Sequence, residues 1–410
     1  MDAGKWIALA ALGSALLAPA SAAAALERPR PSDVPGAETT LAPNGFQVYN
    51  DYASPERTYA SRRAVVHFVV LGIDAPPLND DDADGVPDYV ERVGEAADRA
   101  LAYYERRGFR RVLPDEGGPD TQPDVYVTRF APGTLGVAFP RAAAEGGAFA
   151  VVSNNLDPSA GRSFASVFAT VAHELFHLVQ FSYLGRGSEP AIPAWILEGT
   201  ASALETRVNP ELDDLVSTIQ LRRWFSATGR SMTTQAYGAQ LLWRWLDRQH
   251  PTLLPVLLRR LAALPEGDGE RSVATTFTRV AGGRFTDAFH RFAVSVAAEH
   301  ADDIVPVLAP RRAVLAPLSV TYVRVALPRA GRSRLTVTFP RGRSGAGATL
   351  VYRIANDVAG EPARFRRIAP RAGRGGDTLV FGLSAGPRTS ATLVLSNGDG
   401  EAVPYAVSAR

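Results

Sequence analysis

The chain has 410 residues, enough for two domains, and its 46% hydrophobic and 21% charged residues match a folded globular protein. Forty-four basic against 42 acidic residues leave a formal charge of +2, too weak a field to grip nucleic acid, and the arginines are scattered. There is no cysteine, which excludes disulfide scaffolds, thiol nucleophiles and cysteine-ligated zinc or iron–sulfur sites.

The chain opens with Met1-Asp2-Ala3-Gly4-Lys5, followed by an apolar run from Trp6 to Ala18 and small residues at Ala18-Pro19-Ala20 and Ala20-Ser21-Ala22. That order reads as a secretory signal peptide over residues 1–22. Its apolar run of about 13 residues is shorter than the roughly 20 needed to span a bilayer. The expectation is export and removal, with the mature protein acting outside the cytoplasm, secreted or periplasmic. Residues 23–61 are rich in Pro, Ser, Thr and Gly and read as a leader or short pro-segment.

The run Ala64 to Val70 carries a strand signal. After it, Asp80-Asp81-Asp82-Ala83-Asp84-Gly85-Val86-Pro87-Asp88-Tyr89-Val90-Glu91 fits the twelve-residue calcium-loop template. Acids stand at positions 1, 3, 5, 9 and 12, and a glycine at the sharp turn. Asp80, Asp82, Asp84 and Glu91 would offer side chains, Val86 its carbonyl, and Asp88 a contact through water. A strand and Pro76-Pro77 precede the loop, so a paired EF-hand is not expected; a single structural calcium site is. A solvated acidic cap on the next helix would use the same residues.

That helix is predicted from about Asp88 to Arg107, with Val90, Val93, Ala97, Leu101 and Tyr104 on one face and Gly108 as its stop. Asp124–Thr128 and Ala148–Val152 read as strands. Helical patterns then run over Phe164–Tyr183, Trp195–Arg207, Leu212–Phe225, Thr234–Arg248 and on to about Glu299. Near Val305 the character changes: Pro306, Pro310 and Pro317 punctuate a linker, and about seven short strand-like runs follow, the pattern of a β-sandwich. The predicted fold is an α+β domain over 62–304 followed by an all-β sandwich over 305–410.

The chemistry concentrates at His173-Glu174-Leu175-Phe176-His177, inside the predicted helix 164–183. Four residues is close to one helical turn, so both imidazoles project from one face and can meet one metal ion, with Glu174 in reach of a water on that metal. With 6 histidines in the chain, such a pattern arises by chance in roughly half a percent of sequences of this composition. The nitrogen donors suit zinc. The metzincin extension is absent, since Gln180 and Tyr183 stand where a glycine and a third histidine would be. An acid on the next helix can complete a His2Glu site. Glu198, in Trp195-Ile196-Leu197-Glu198-Gly199-Thr200-Ala201, is the candidate. Glu205 competes from the same face, or would act behind the ligands, and Glu189 sits in a loop beside Pro190.

The motif with Glu198 in a Trp-x-x-Glu-Gly-x-Ala context resembles the gluzincin, thermolysin-like zinc metallopeptidases. It is similar in particular to secreted bacterial metalloproteases of the hyicolysin-like and immune-inhibitor-A-like groups, in which an acidic loop precedes the catalytic helices and a β-module follows. The resemblance covers about residues 60 to 300. It implies a zincin-like catalytic domain, His173, His177 and Glu198 as zinc ligands and Glu174 as general base. Ser202 stands where such enzymes often keep an acid that orients a histidine, a departure that leaves that partner open. By the same resemblance Tyr237, read as starting a helix, is the candidate oxyanion donor, with a packed aromatic as the plain alternative. His67 and His290 compete for that role but sit in apolar runs as structural histidines do; His250 and His300 read as surface residues.

The expectation is therefore a zinc-dependent endopeptidase acting on protein or peptide substrates as a monomer, with no nucleic-acid partner and no membrane span after signal removal. The alternative is a non-catalytic exported binding or adhesion protein built on a degenerate scaffold of the same kind.

Overall fold

The computed structural model describes residues 54–113, 121–130, 134–139, 148–156, 165–183, 192–212, 224, 228–262, 269–299, 307–308, 312–325, 332–340, 345–354, 364–368, 371–372, 378–384 and 388–409. The predicted signal peptide, most of the leader, Glu189, His300 and most of the predicted helix 212–225 lie outside them. The protein is mixed α/β, with seven α-helices and three separate sheets among the described residues. None of those helices is long and apolar enough to cross a membrane. By compactness the chain divides into Met1–Ala191 with Ala201–Asp214, and Ile192–Thr200 with Leu215–Arg410. The division falls inside one helix, α3 (Ala194–Val208), which is itself unbroken.

The first unit is built on five strands: β1 (Arg57–Ala60), β2 (Val65–Phe68), β3 (Asp124–Thr128), β4 (Gly136–Phe139) and β5 (Phe149–Ser153), in the order β1-β2-β3-β5-β4. The central pairs β2/β3 and β3/β5 are parallel; β1 and β4 close the two edges antiparallel. Every residue of β2, β3 and β5 is buried, as parallel strands covered on both faces require. Helix α1 (Asp88–Arg106) lies over β1 and β2, helix α2 (Ala165–Phe181) over β4 and β5, and the two helices pack on each other. On the other face Tyr126, Phe130, Phe139, Phe149 and Val151 form an apolar cluster.

Local sequence explains these elements. α1 has Asp88 and Glu91 in its first turn, where the dipole favours acids, and ends at Gly108, whose φ of 78° is open to a residue without Cβ. α2 is buried on all sides from Val171 to Gln180, which is why its apolar residues are not confined to one stripe. Two strands were not expected. β1 falls in the segment read as leader, where its exposed side chains hide the strand pattern; β4 has only four residues and starts on a glycine.

The second unit holds α4 (Gln240–Gln249), α5 (Leu253–Leu261), α6 (Gly269–Ala281) and α7 (Phe285–Glu299). Ten strands follow: β6 (Val307–Leu308), β7 (Arg312–Leu315), β8 (Ser319–Val325), β9 (Arg332–Thr338), β10 (Ala346–Ile354), β11 (Arg364–Ile368), β12 (Arg371–Ala372), β13 (Thr378–Ser384), β14 (Arg388–Asn397) and β15 (Val403–Ala409). They form two sheets, β11-β10-β14-β8-β6 and β12-β13-β9-β15-β7, antiparallel except for the β6/β8 pair. The proline-punctuated stretch after Val305 thus contains two short strands, β6 and β7. Alternate residues of seven strands from both sheets, among them Val323, Val337, Leu350, Phe381, Leu393 and Val407, share one buried cluster.

The opposite face of the first sheet is covered by α7. His290 of that helix is bonded through Nδ1 to Ser396 Oγ at 2.7 Å and through Nε2 to Thr349 Oγ1 at 2.8 Å, and Tyr322 donates to the Ala293 carbonyl. Gly347 is required there, since a Cβ would stand 2.5 Å from His290 Nδ1. Helix α7 therefore packs directly on the strands β10 and β14 that follow it.

Candidate metal centre

Helix α2 brings His173 and His177 onto one face one turn apart, as their spacing dictates. Its placement is fixed by neighbours: Tyr104 of α1 donates to the Ala172 carbonyl at 2.6 Å, and Phe176 packs against Tyr104 and Phe109, each at 5.1 Å between ring centres. Asn209, at the end of α3, donates to the Phe168 carbonyl at 3.2 Å. Glu198, Ser202 and Glu205 lie on α3 at helical spacings of four and three.

The two imidazoles face each other through Nε2, 3.1 Å apart. Behind them, His173 Nδ1 is 2.7 Å from Glu205 Oε1 and His177 Nδ1 is 2.7 Å from Gln180 Oε1. Both partners are oxygens that accept, an arrangement that favours the proton on each Nδ1 and would leave each Nε2 to present a lone pair. A ligand atom of Glu198 joins the two nitrogens, all three within 4.8 Å of one another. All three residues are buried, at 1%, 3% and 2% exposure. This buried group of two nitrogens and a carboxylate can hold a metal ion. Two ring nitrogens and a carboxylate converging away from water are the donor set a cation takes. Two nitrogens about 2.0–2.1 Å from a tetrahedral zinc would stand roughly 3.3 Å apart, close to the separation here.

Glu174, next to His173, is equally buried and lies against β4: a Cβ on Gly136 would be 2.7 Å from its Cγ and 2.9 Å from its Oε1. Gly199, after Glu198, is needed for packing, because a Cβ would meet Trp243 Cδ1 at 2.8 Å. Trp243 also donates to the Trp195 carbonyl at 2.9 Å and stacks on that indole, which holds the first turns of α3 against α4.

Two residues behind the ligands have roles that sequence alone left open. The acid orienting His173 is Glu205, while Ser202 Oγ approaches the same nitrogen at only 3.4 Å. In the sequence Gln180 marks only the absence of the metzincin glycine, although its place three residues after His177 puts it on the same face. Tyr237 is half-buried in the turn before α4 rather than in a helix; its carbonyl accepts from Gln240 N at 3.2 Å.

The acidic loop forms a separate cluster, with one oxygen each from Asp80, Asp82 and Asp84 within 4.8 Å of one another. Asp80 accepts from Asp84 N and Gly85 N, Asp84 from Val86 N, and Asp88 from Asp81 N. Gly85 turns at φ 91° and Ala83 at φ 58°. Burial, then the charges of Asp82, Asp84, Asp88 and Asp80, lift the Glu91 carboxyl above its ordinary value; the group of oxygens close enough to share an ion comprises Asp80, Asp82 and Asp84, without Asp88 or Glu91.

The other candidate histidines are bound elsewhere. His67 is buried between Asp124 Oδ1 at 2.9 Å and Glu56 Oε1 at 2.6 Å, and stacks on Tyr126. Burial would lower its pKa, but the bonds and charges of the two carboxylates outweigh that and leave it raised. His290, held in unit two as described, is pushed by burial down to about 4.

Compared with models of known protein families and with curated proteins, the chain matches none.

Proposed function

We propose that this protein is a zinc-dependent metallopeptidase of the gluzincin kind, with a zincin-like catalytic domain, a β-sandwich accessory module and export from the cytoplasm. The observation that carries the reading is the convergence of the His173 and His177 Nε2 atoms, 3.1 Å apart, with a Glu198 oxygen beside them and Glu174 next to His173 on α2. A structural metal site has no use for a buried carboxylate placed there.

His173, His177 and Glu198 would hold the ion and leave a fourth position open. When bound, zinc acidifies a water and polarises the scissile carbonyl. Glu174 would take one proton from a water whose oxygen bonds to the scissile carbonyl carbon and give it to the amine released as the C–N bond breaks, a role worth about 10²–10⁴-fold. Strand β4 supports a peptide substrate in this reading: it is the terminal strand of its sheet, it lies against Glu174, and a sheet edge pairs with extended backbone. Tyr237 is proposed as the oxyanion donor, on the resemblance alone. Calcium is proposed at Asp80, Asp82, Asp84, the Val86 carbonyl, Asp88 and Glu91, where it would stiffen the entry to α1.

The test is metal analysis of the purified protein together with casein hydrolysis by the wild type and Glu174→Gln. The expected result is about one zinc per chain in both and a loss of at least ~10²-fold in hydrolysis for the variant. Equal hydrolysis by the variant would end the mechanism. Zinc bound without cleavage of a broad peptide library would favour the non-catalytic binding protein.

A further inference from the structure

Resting on the metal reading above, the geometry points to Gln180 as a positioning residue that commits His177 to the tautomer able to bind the ion; we infer that its amide oxygen does for His177 what the Glu205 carboxylate does for His173. A histidine ligates through a nitrogen that carries no proton, and an isolated neutral imidazole distributes its proton between both nitrogens. An acceptor on Nδ1 settles the proton there and frees Nε2.

Several observations assign this work to Gln180. Its side chain is fully buried, at 0% exposure, inside a helix that is buried on all sides. A buried amide is costly without good partners, and its Oε1 is 2.7 Å from His177 Nδ1. Helical side chains lean back toward the N-terminus, so a residue three positions after a histidine reaches the ring's rear nitrogen from the same helix. The ring is also flanked by Phe181, stacked at 21° and 6.3 Å between centres, which limits its rotation. The site thus has one charged and one neutral support. With Glu174, Glu198 and Glu205 already present, a neutral amide at 180 orients the second ring without adding a fourth carboxylate around a divalent ion.

The test uses the full chain with Gln180→Leu and Gln180→Met, two apolar replacements of similar length so that one folding failure does not stop it, and Gln180→Glu as the conservative variant. Two properties are read: the ¹⁵N shifts of the His177 imidazole in the metal-free protein, and zinc affinity by competition with a chromophoric chelator. Wild type should show Nδ1 protonated and Nε2 bare. The apolar variants should show mixed tautomers and an affinity lower by about 10–100-fold, and Gln180→Glu should restore both. Loss of thermal stability in the apolar variants with unchanged tautomer and affinity would overturn the inference, as would equal loss in Gln180→Glu. A wild type that takes up no zinc would instead end the metallopeptidase reading, an outcome the chelator titration separates from the first.

Discussion

Gly136 and Glu174 are so close that the missing side chain of one makes room for the carboxylate of the other: a Cβ at 136 would stand 2.7 Å from Glu174 Cγ and 2.9 Å from Thr170 Cγ2. Neither neighbour can retreat easily, since Glu174 and Thr170 are both buried on α2. Gly136→Ala is therefore expected to push the carboxylate aside. A displacement near 1 Å costs on the order of 10² in rate when the group must meet a reacting atom. Peptide hydrolysis should fall by about that factor while zinc content stays at the wild-type level, measured by metal analysis of the same preparation.

Gly199 has the same relationship to Trp243, with a Cβ at 2.8 Å from Cδ1 and 2.9 Å from Nε1. The indole cannot yield, because it is fully buried and bonded to the Trp195 carbonyl. Gly199→Ala should cost about 1–3 kcal/mol by overpacking and move the turn that carries Glu198. Chemical denaturation should show the loss of stability, and the chelator titration a loss of zinc affinity that Thr200→Ser does not share.

His290 predicts acid lability. Its folded pKa is pushed by burial to about 4, with Arg291 lowering and Asp287 raising it, against 6.5 unfolded. The neutral ring thus contributes stability above pH 6.5 that is lost as the pH falls through this window, about 3 kcal/mol in all. In His290→Gln the pH dependence between 6.5 and 4 should flatten by that amount, read as the difference between the two denaturation series. Identical slopes would remove His290 from the acid limb.

His67 acts in the opposite direction. Its folded pKa is raised, so the imidazolium held by Asp124 and Glu56 contributes stability that is complete below the unfolded value of 6.5 and is lost as the pH rises through the folded value. Glu56 is the exposed partner. Glu56→Gln keeps an acceptor but removes a charge, and should lower the melting temperature near pH 5, where the imidazolium is present in the wild type, with little change on the alkaline side, so that the fall with rising pH shrinks. A fall of unchanged size would assign it to other groups.

The acidic loop should respond to calcium. If its affinity lies in the 10⁻⁴–10⁻³ M range of extracellular modules, about 10 mM calcium raises stability by roughly 1–3 kcal/mol. The melting temperature should rise accordingly for the wild type and not for Asp82→Asn, and magnesium should not substitute. No shift in either protein would leave the loop as an acidic cap on α1.

Features set by local periodicity were legible in the sequence. The two imidazoles fall on one face because four residues nearly complete a turn, whatever surrounds the helix, and β2, β3 and β5 announce themselves as short runs rich in Val and aromatic residues. Gly85 and Gly108 mark turns because the backbone there has positive φ. Distance along the chain could not decide the rest. Glu198 and Glu205 share a face of α3, and only the packing of that helix put Glu205 on the rear nitrogen of His173. Gln180 supports His177 through the rotamer its buried surroundings impose, which brings Oε1 to 2.7 Å from Nδ1. β4 is too short to carry a pattern of its own and exists through its pairing with β5, yet it is the strand that crowds Glu174. Sequence spacing fixes which residues share a face; which neighbour each face meets is set by contacts between segments far apart in the chain, and those exist only after folding.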